Sequence, residues 1–162
     1  MTLKEIIIEA LHDPANWKNG EVNWSFIDAD LWCHNDAGNF TSCMHHRFPF
    51  KSSMTLIGSE IGAMGMGIPA GIAAALRFPD RQVFSIVGDG GALMTGSELA
   101  TAVAQNANIR VIVANNQHYG TIRYHQEVHF PTRDHYATNL VNPDFAKYGD
   151  CLLYTSPSPR DS

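Results

Sequence analysis

The sequence predicts an α/β domain with a mostly parallel central sheet, and two stretches carry that prediction. Residues 82–117 read QVFSIVGDGGALMTGSELATAVAQNANIRVIVANNQ, where the apolar runs 83–87 and 111–114 bracket a helical segment and each ends in a polar motif. Just before them, residues 58–78 read GSEIGAMGMGIPAGIAAALRF, dense in Gly and Ala and helical in pattern from Pro69 to Leu76. Short apolar runs alternating with helices are the mark of strand–helix–strand units. A right-handed crossover brings the second strand back parallel to the first, so both polar motifs fall at one sheet edge. Gly88-Asp89-Gly90-Gly91 and Asn115-Asn116 thereby converge a carboxylate and an amide oxygen beside a helix N-terminus.

Composition allows one domain with a real core: 162 residues, 44% apolar and 17% charged. A net charge of -5 speaks against a general binder of nucleic acid or anionic membrane, which cluster Lys and Arg. Three cysteines, Cys33, Cys43 and Cys151, are an odd and sparse set that suits a reducing, cytoplasmic compartment better than a disulfide framework. The N-terminal MTLKEIIIEALHD has acids inside its short apolar stretch, and no segment approaches the roughly 20 apolar residues of a membrane span.

In chain order, Leu3, Ile6, Ile7, Ala10 and Leu11 recur at helical spacing, predicting an amphipathic helix over 3–12 that Asp13-Pro14 ends. A polar, irregular stretch follows to Asn23, then a strand over 26–34, broken by the loop Asn35-Asp36-Ala37-Gly38-Asn39, a third candidate for the functional edge. Residues 41–57 show no period and are left unassigned. Phe78-Pro79-Asp80-Arg81 is a turn into the first core strand, and the residues after Gly91 continue as a helix through Ser97-Glu98-Leu99-Ala100. Beyond Asn116 a short helix is expected over 119–126, then mostly loop over 128–144, and Asn142-Pro143-Asp144 caps a helix beginning Phe145-Ala146-Lys147-Tyr148. From Cys151 the chain turns to Ser, Pro and charge. This divides it into 1–25, an N-terminal helix and linker; 26–150, the domain; and 151–162, a disordered or non-native tail that resembles a translated sequencing-adapter read-through.

The polar motifs suggest their own chemistry. Backbone amides at a helix start hold phosphate, yet Asp89 would repel it unless a cation bridges the two. A hard divalent ion such as magnesium takes one carboxylate, neutral oxygens, phosphate oxygens and water, and Asp89, Asn116 and a loop carbonyl form that set. Each motif alone also serves as an ordinary tight turn or strand end. A dinucleotide site is a weaker rival: Gly65-Met66-Gly67-Ile68-Pro69-Ala70 fits G-x-G-x-x-A loosely, but no strand precedes it. A zinc site from Cys33, His34, Cys43, His45 and His46 is weaker still, because neighbours on a strand face opposite ways and no C-x-x-C pair is present.

Gly88-Asp89-Gly90, the spacer Gly91 to Ala114, and Asn115-Asn116 resemble the diphosphate and metal motif of thiamine diphosphate-dependent enzymes. The segments GAMGMGIPAGIAAALRFPDRQVFSIVGDGGALMTGSELATA and NNQHYGTIRYHQE are similar almost throughout to the acetolactate synthase-like branch, as are Asp36 to Phe40 and Asn142 to Phe145. The resemblance spans about residues 26–150. It implies a three-layer α/β/α domain that binds thiamine diphosphate and Mg2+. Asp89, the Asn116 side chain and the His118 main-chain carbonyl would hold the metal. Gly90 and Gly91 would approach the diphosphate with Asn39, Phe40 and Tyr119. Gly62, Ala63 and Met64 would meet the aminopyrimidine, Met64 as the wedge that bends the cofactor, and Ile122 would lie near the thiazolium.

The same resemblance implies what this chain does not supply. In the family a glutamate on a separate pyrimidine-binding domain, of the same or another subunit, activates the cofactor, and neither Glu60 nor Glu98 stands in its position. The expectation is the diphosphate- and magnesium-binding half of a lyase or transferase acting on small 2-oxo acids, a carboligase or decarboxylase, homodimeric or homotetrameric when whole. By itself the chain is expected to be inactive, and a non-catalytic cofactor-binding module is the alternative.

Overall fold

The computed structural model describes residues 17–18, 21–22, 32–47, 50 and 55–153. After a small antiparallel pair, β1 (Trp17–Lys18) with β2 (Glu21–Val22), come β3 (Trp32–Asn35), α1 (Phe40–Arg47), β4 (Leu56–Gly58) and α2 (Gly67–Arg77). The chain continues through β5 (Val83–Gly88), α3 (Asp89–Thr95), a single 3₁₀ turn, α4 (Leu99–Ala104) and β6 (Ile109–Ala114), and then α5 (Gly120–His129) and α6 (Phe145–Leu153). The four longer-range strands pair in the order β4-β3-β5-β6, all parallel, in the predicted fold class.

Alternation along β5 explains the layers. Val83 and Val87 join Ile68, Ile72, Ala74 and Ala75 of α2, Leu99 and Ala102 of α4, and Phe145 and Leu152 of α6 on one face. Phe84 and Ile86 meet Phe40, Phe50, Leu56 and Ile112 on the other. A side chain on Gly71 would run into Ile109 Cδ1 at 2.6 Å and Ser85 Cβ at 3.0 Å, and one on Gly67 into Val87. Those two glycines, one turn apart, let α2 lie directly on β5, and Ser85 Oγ donates to Gly67 O at 2.7 Å to fix it there. The helical part of the Gly-rich stretch is therefore a packing face.

Several boundaries move. The helix expected over 3–12 lies outside the described residues, as do residues 26–31 of the first strand, whose described part ends at Asn35. The unassigned 41–57 contains α1 and β4; α1 reads FTSCMHHR, with no apolar period to reveal it, and β4 has three residues. The Gly88–Gly91 motif is not a free loop, because Gly88 ends β5 in extended conformation and α3 starts at Asp89. An acid at that point suits the positive end of the helix. At the other end Cys151, Leu152 and Leu153 still belong to α6, with Leu152 against the core, so the break in composition at Cys151 precedes the end of the helix; residues 154–162 lie outside the described ones.

Candidate functional site

Register decides what meets at the sheet edge. Gly88 pairs with Ala114, and Asn35 with Ile86 and Gly58, so the residues after β3, β5 and β6 emerge side by side. The order in which strands are added reverses at β3, since β4 lies to one side of it and β5 to the other. A crevice opens at such a switch point in open parallel sheets. Here it is a cleft of about 380 Å³, lined by Asn39, Phe40, Met64, Asp89, Gly90, Asn116, His118, Tyr119 and Ile122 among others. All nine are residues that the sequence singled out.

Asp89 is the centre of its polar wall. It is 3% exposed, and among the described residues no Lys or Arg pairs with it. Its Oδ1 accepts from Gly90 N at 3.0 Å, and its Oδ2 from Gln117 N and Asn142 Nδ2, both at 2.7 Å. Neutral donors alone leave the charge of a buried carboxylate without a counter-ion, which invites a bound cation.

The segment after β6 is shaped to present oxygens. Gln117 adopts φ 61, a left-handed conformation rarely taken by side chains of its size, and its amide is held by Asp89 Oδ2 and by Asn115 Oδ1 at 3.2 Å. Residues 138–140 then brace the loop: Tyr119 N donates to Thr138 O and Leu140 N to Gln117 O, both at 2.8 Å, with His118 opposite Asn139. In that non-hydrogen-bonded pairing His118 turns its own N–H and C=O away from Asn139. The His118 N–H reaches Asn116 Oδ1 at 3.1 Å, while ring Nδ1 donates to Asn116 O at 2.6 Å. Asp89, Asn116 and His118, the residues expected to hold a metal, thus line one cleft. Among the described residues no three of His, Cys, Asp and Glu gather as ligands, so a cation here would rely on that single carboxylate and neutral oxygens. The cysteines of the zinc reading, Cys33 and Cys43, have no described side-chain placement.

Opposite that wall, Met64 is 37% exposed at the cleft, and a side chain on Gly90 would strike Tyr119 Cε1 at 2.6 Å and Met64 Cε at 3.2 Å. Met64 is held from behind. Gly65, at φ 83, donates its N–H to Asp36 Oδ2 at 3.0 Å and accepts from Thr95 Oγ1 at 2.8 Å. Gly62, at φ 66, and Ala63, whose N–H donates to Ser59 Oγ at 3.0 Å, form the exposed turn leading to Met64 and do not line the cleft. Gly91 is buried and turned to the Asp36 carboxylate, which a side chain there would overlap; close packing accounts for that glycine.

Four residues that the sequence reading held only as parts of motifs gain individual roles here. Asp36, 2% exposed, ties the Met64 turn to the loop after β3; Asn142 bridges Asp89 and Asn115; Gly120 and Thr121 begin α5 in the cleft. α5 has no side-chain cap, so its first amides stay open toward the cleft and suit an anion. Local motifs pointed to the segments that hold Asp36 and Asn142, but only their long-range partners show what each side chain does.

Residues 36–152 match the family described as Thiamine pyrophosphate enzyme, C-terminal TPP binding domain. The chain is 35% identical over 116 residues to a putative thiamine pyrophosphate-containing protein of Bacillus subtilis, covering 71% of this chain and 20% of that protein. It is 37% identical over 135 residues to the acetolactate synthase large subunit of Lactococcus lactis, covering 83% and 24%, and 38% identical over 116 residues to the pyruvate oxidase of Lactiplantibacillus plantarum, covering 71% and 19%. The chain thus spans about a fifth of the length of these curated relatives. No helix among the described residues is long and apolar enough to cross a membrane.

Proposed function

The chain belongs to the thiamine pyrophosphate enzyme family, in its C-terminal TPP-binding domain, and from that membership we propose that it is the diphosphate- and magnesium-binding half of an enzyme acting on small 2-oxo acids. Thiamine diphosphate is the cofactor of the family. The observation that carries the reading is Asp89, a buried carboxylate without a counter-ion among the described residues, lining the same cleft as Asn116 and His118, where α5 begins uncapped.

The donor set fits the group. Asp89, Asn116 and the His118 carbonyl would hold Mg2+; the open amides at the start of α5, with Gly90, Asn39, Phe40 and Tyr119 around them, would hold the diphosphate. Met64 would support the bent cofactor, with Ile122 close to its thiazolium and Gly62 and Ala63 at the rim by the aminopyrimidine. Gly91 would act through its backbone and by letting Asp36 approach. When bound, thiamine diphosphate would supply a nucleophilic carbon able to add to the carbonyl of a 2-oxo acid. The residues of this chain bind, orient and shield that carbon.

Acetolactate synthase and pyruvate oxidase among the relatives support the substrate class, as carboligation or decarboxylation. The partner would be a pyrimidine-binding domain, of the same or a second subunit, that contributes the activating glutamate, in a cytoplasmic homodimer or homotetramer; alone the chain would be inactive. Calorimetric titration of the chain with thiamine diphosphate and Mg2+ tests the site. Binding that requires both components and is abolished in Asp89→Ala is expected, and unchanged affinity in that variant would refute the metal assignment.

A further inference from the structure

The three donors on Asp89 are unequally shared. Oδ2 takes two of them, Gln117 N and Asn142 Nδ2, each at 2.7 Å, whereas Oδ1 takes Gly90 N alone at 3.0 Å. A carboxylate has about four lone-pair positions, two on each oxygen, so Oδ2 is filled and the open position lies on Oδ1. The orientation of Asn142 is fixed by chemistry: Asp89 Oδ2 and, at 2.8 Å, Asn115 Oδ1 are both acceptors, so the amide nitrogen must face them. The amide oxygen of Asn142 is left buried with no partner among the described residues, and toward them the side chain serves as a donor only.

Resting on the cation site proposed above, we infer that Asn142 is a positioning residue that makes Asp89 a one-oxygen ligand and biases the site toward magnesium over calcium. Calcium takes six to eight oxygens at about 2.3–2.6 Å and readily uses both oxygens of a carboxylate, while magnesium demands near-octahedral geometry at about 2.0–2.1 Å. Two-oxygen coordination would have to displace a donor from Oδ2. The Gln117 amide is fixed by the backbone, so Asn142 is the donor a substitution can remove. Without it, Oδ2 is open to a larger ion, and the carboxylate is free to rotate out of the one-oxygen geometry.

The test titrates the full chain with Mg2+ and separately with Ca2+, each in excess thiamine diphosphate, for the wild type, Asn142→Leu and Asn142→Ser. Leucine matches the side chain in size and removes the unmet oxygen together with the donor; serine stays polar and is too short to reach Asp89. The ratio of calcium to magnesium affinity should rise in both variants by about tenfold, the scale on which partners of metal ligands act. A merely structural role lowers both affinities by one factor and leaves the ratio where it was, which would overturn the inference alone. A wild-type chain that binds neither ion overturns the cation reading and the inference with it.

Discussion

Gly65 donates its amide to the Asp36 carboxylate at 3.0 Å, and this bond joins the turn that carries Met64 to the loop that carries Asn39 and Phe40. The other oxygen of Asp36 accepts from Ala37 N at 2.9 Å, so one buried side chain sets the position of two walls of the cleft. Asp36→Ala leaves the Gly65 amide buried without a partner. Urea denaturation should register a loss of about 1–3 kcal/mol, the usual cost of an unmet buried donor. Limited proteolysis should at the same time cut the 59–66 turn faster. A variant as stable as the wild type and equally resistant would show that the bond contributes nothing.

Gly90 and Gly91 are neighbours in sequence with opposite surroundings, and alanine should separate them. At Gly91 the added methyl overlaps the Asp36 carboxylate, which is held by two amides and has little room to move. Overpacking of this kind costs about 1–3 kcal/mol, and Gly91→Ala should lose that much stability in a denaturant titration. At Gly90 the methyl meets the Tyr119 ring and the tip of Met64, which can swing aside into the cleft. Gly90→Ala should therefore melt close to the wild type while its affinity for thiamine diphosphate falls. Equal stability losses in the two variants would contradict this assignment of faces.

Asp144 caps α6, its Oδ1 accepting from Ala146 N at 3.0 Å and Lys147 N at 3.2 Å. The Lys147 backbone N–H is the main reason its carboxyl lies below the ordinary 3.8; desolvation opposes it, and the Lys147 side chain and the Ala146 N–H each add a smaller lowering effect. A carboxyl depressed in the folded state stabilises the fold above its unfolded value and loses that contribution as pH falls through the folded value. The melting temperature of the wild type should then exceed that of Asp144→Asn near neutral pH, and the gap should close below pH 3.8. Asp144→Ala, which removes the cap oxygen as well, should stay below both at every pH. A gap between wild type and Asn that persists in acid would remove the charge from the explanation.

The parts of this domain that could be read from the chain are those with a local cause. Val83–Val87 and Val111–Ala114 are apolar runs whose crossover fixes their direction, so the arrival of Asp89 and Asn116 at one sheet edge followed from spacing. Asp144 announced α6 because a cap needs only its next three residues. Resemblance supplied Met64, His118 and Tyr119, which spacing alone did not. What stayed hidden was α1, which has no apolar stripe, and the individual tasks of Asp36 and Asn142 within their motifs, because they act on residues 29 and 53 positions away. The family match to residue 152 likewise reaches past Cys151, where composition changes before the fold does.

Asp89 permits the sharpest separation of charge from shape. Three N–H groups converge on its two oxygens, Gly90 N on one, Gln117 N and Asn142 Nδ2 on the other. In Asp89→Asn one oxygen becomes an NH2 group, so whichever way the amide turns, a donor faces a donor. The variant should lose about 1–3 kcal/mol of stability from the unmet groups, read by urea denaturation without added metal. Binding to the folded state raises stability by RT ln(1 + [L]/Kd), about 2.7 kcal/mol at a hundredfold excess over Kd, so thiamine diphosphate with Mg2+ should raise the melting temperature of the wild type. Chelation with EDTA should remove that increase, and Asp89→Asn should never show it. An equal rise in the variant would place the cation elsewhere; a wild type indifferent to EDTA would mean that the cofactor is held without one.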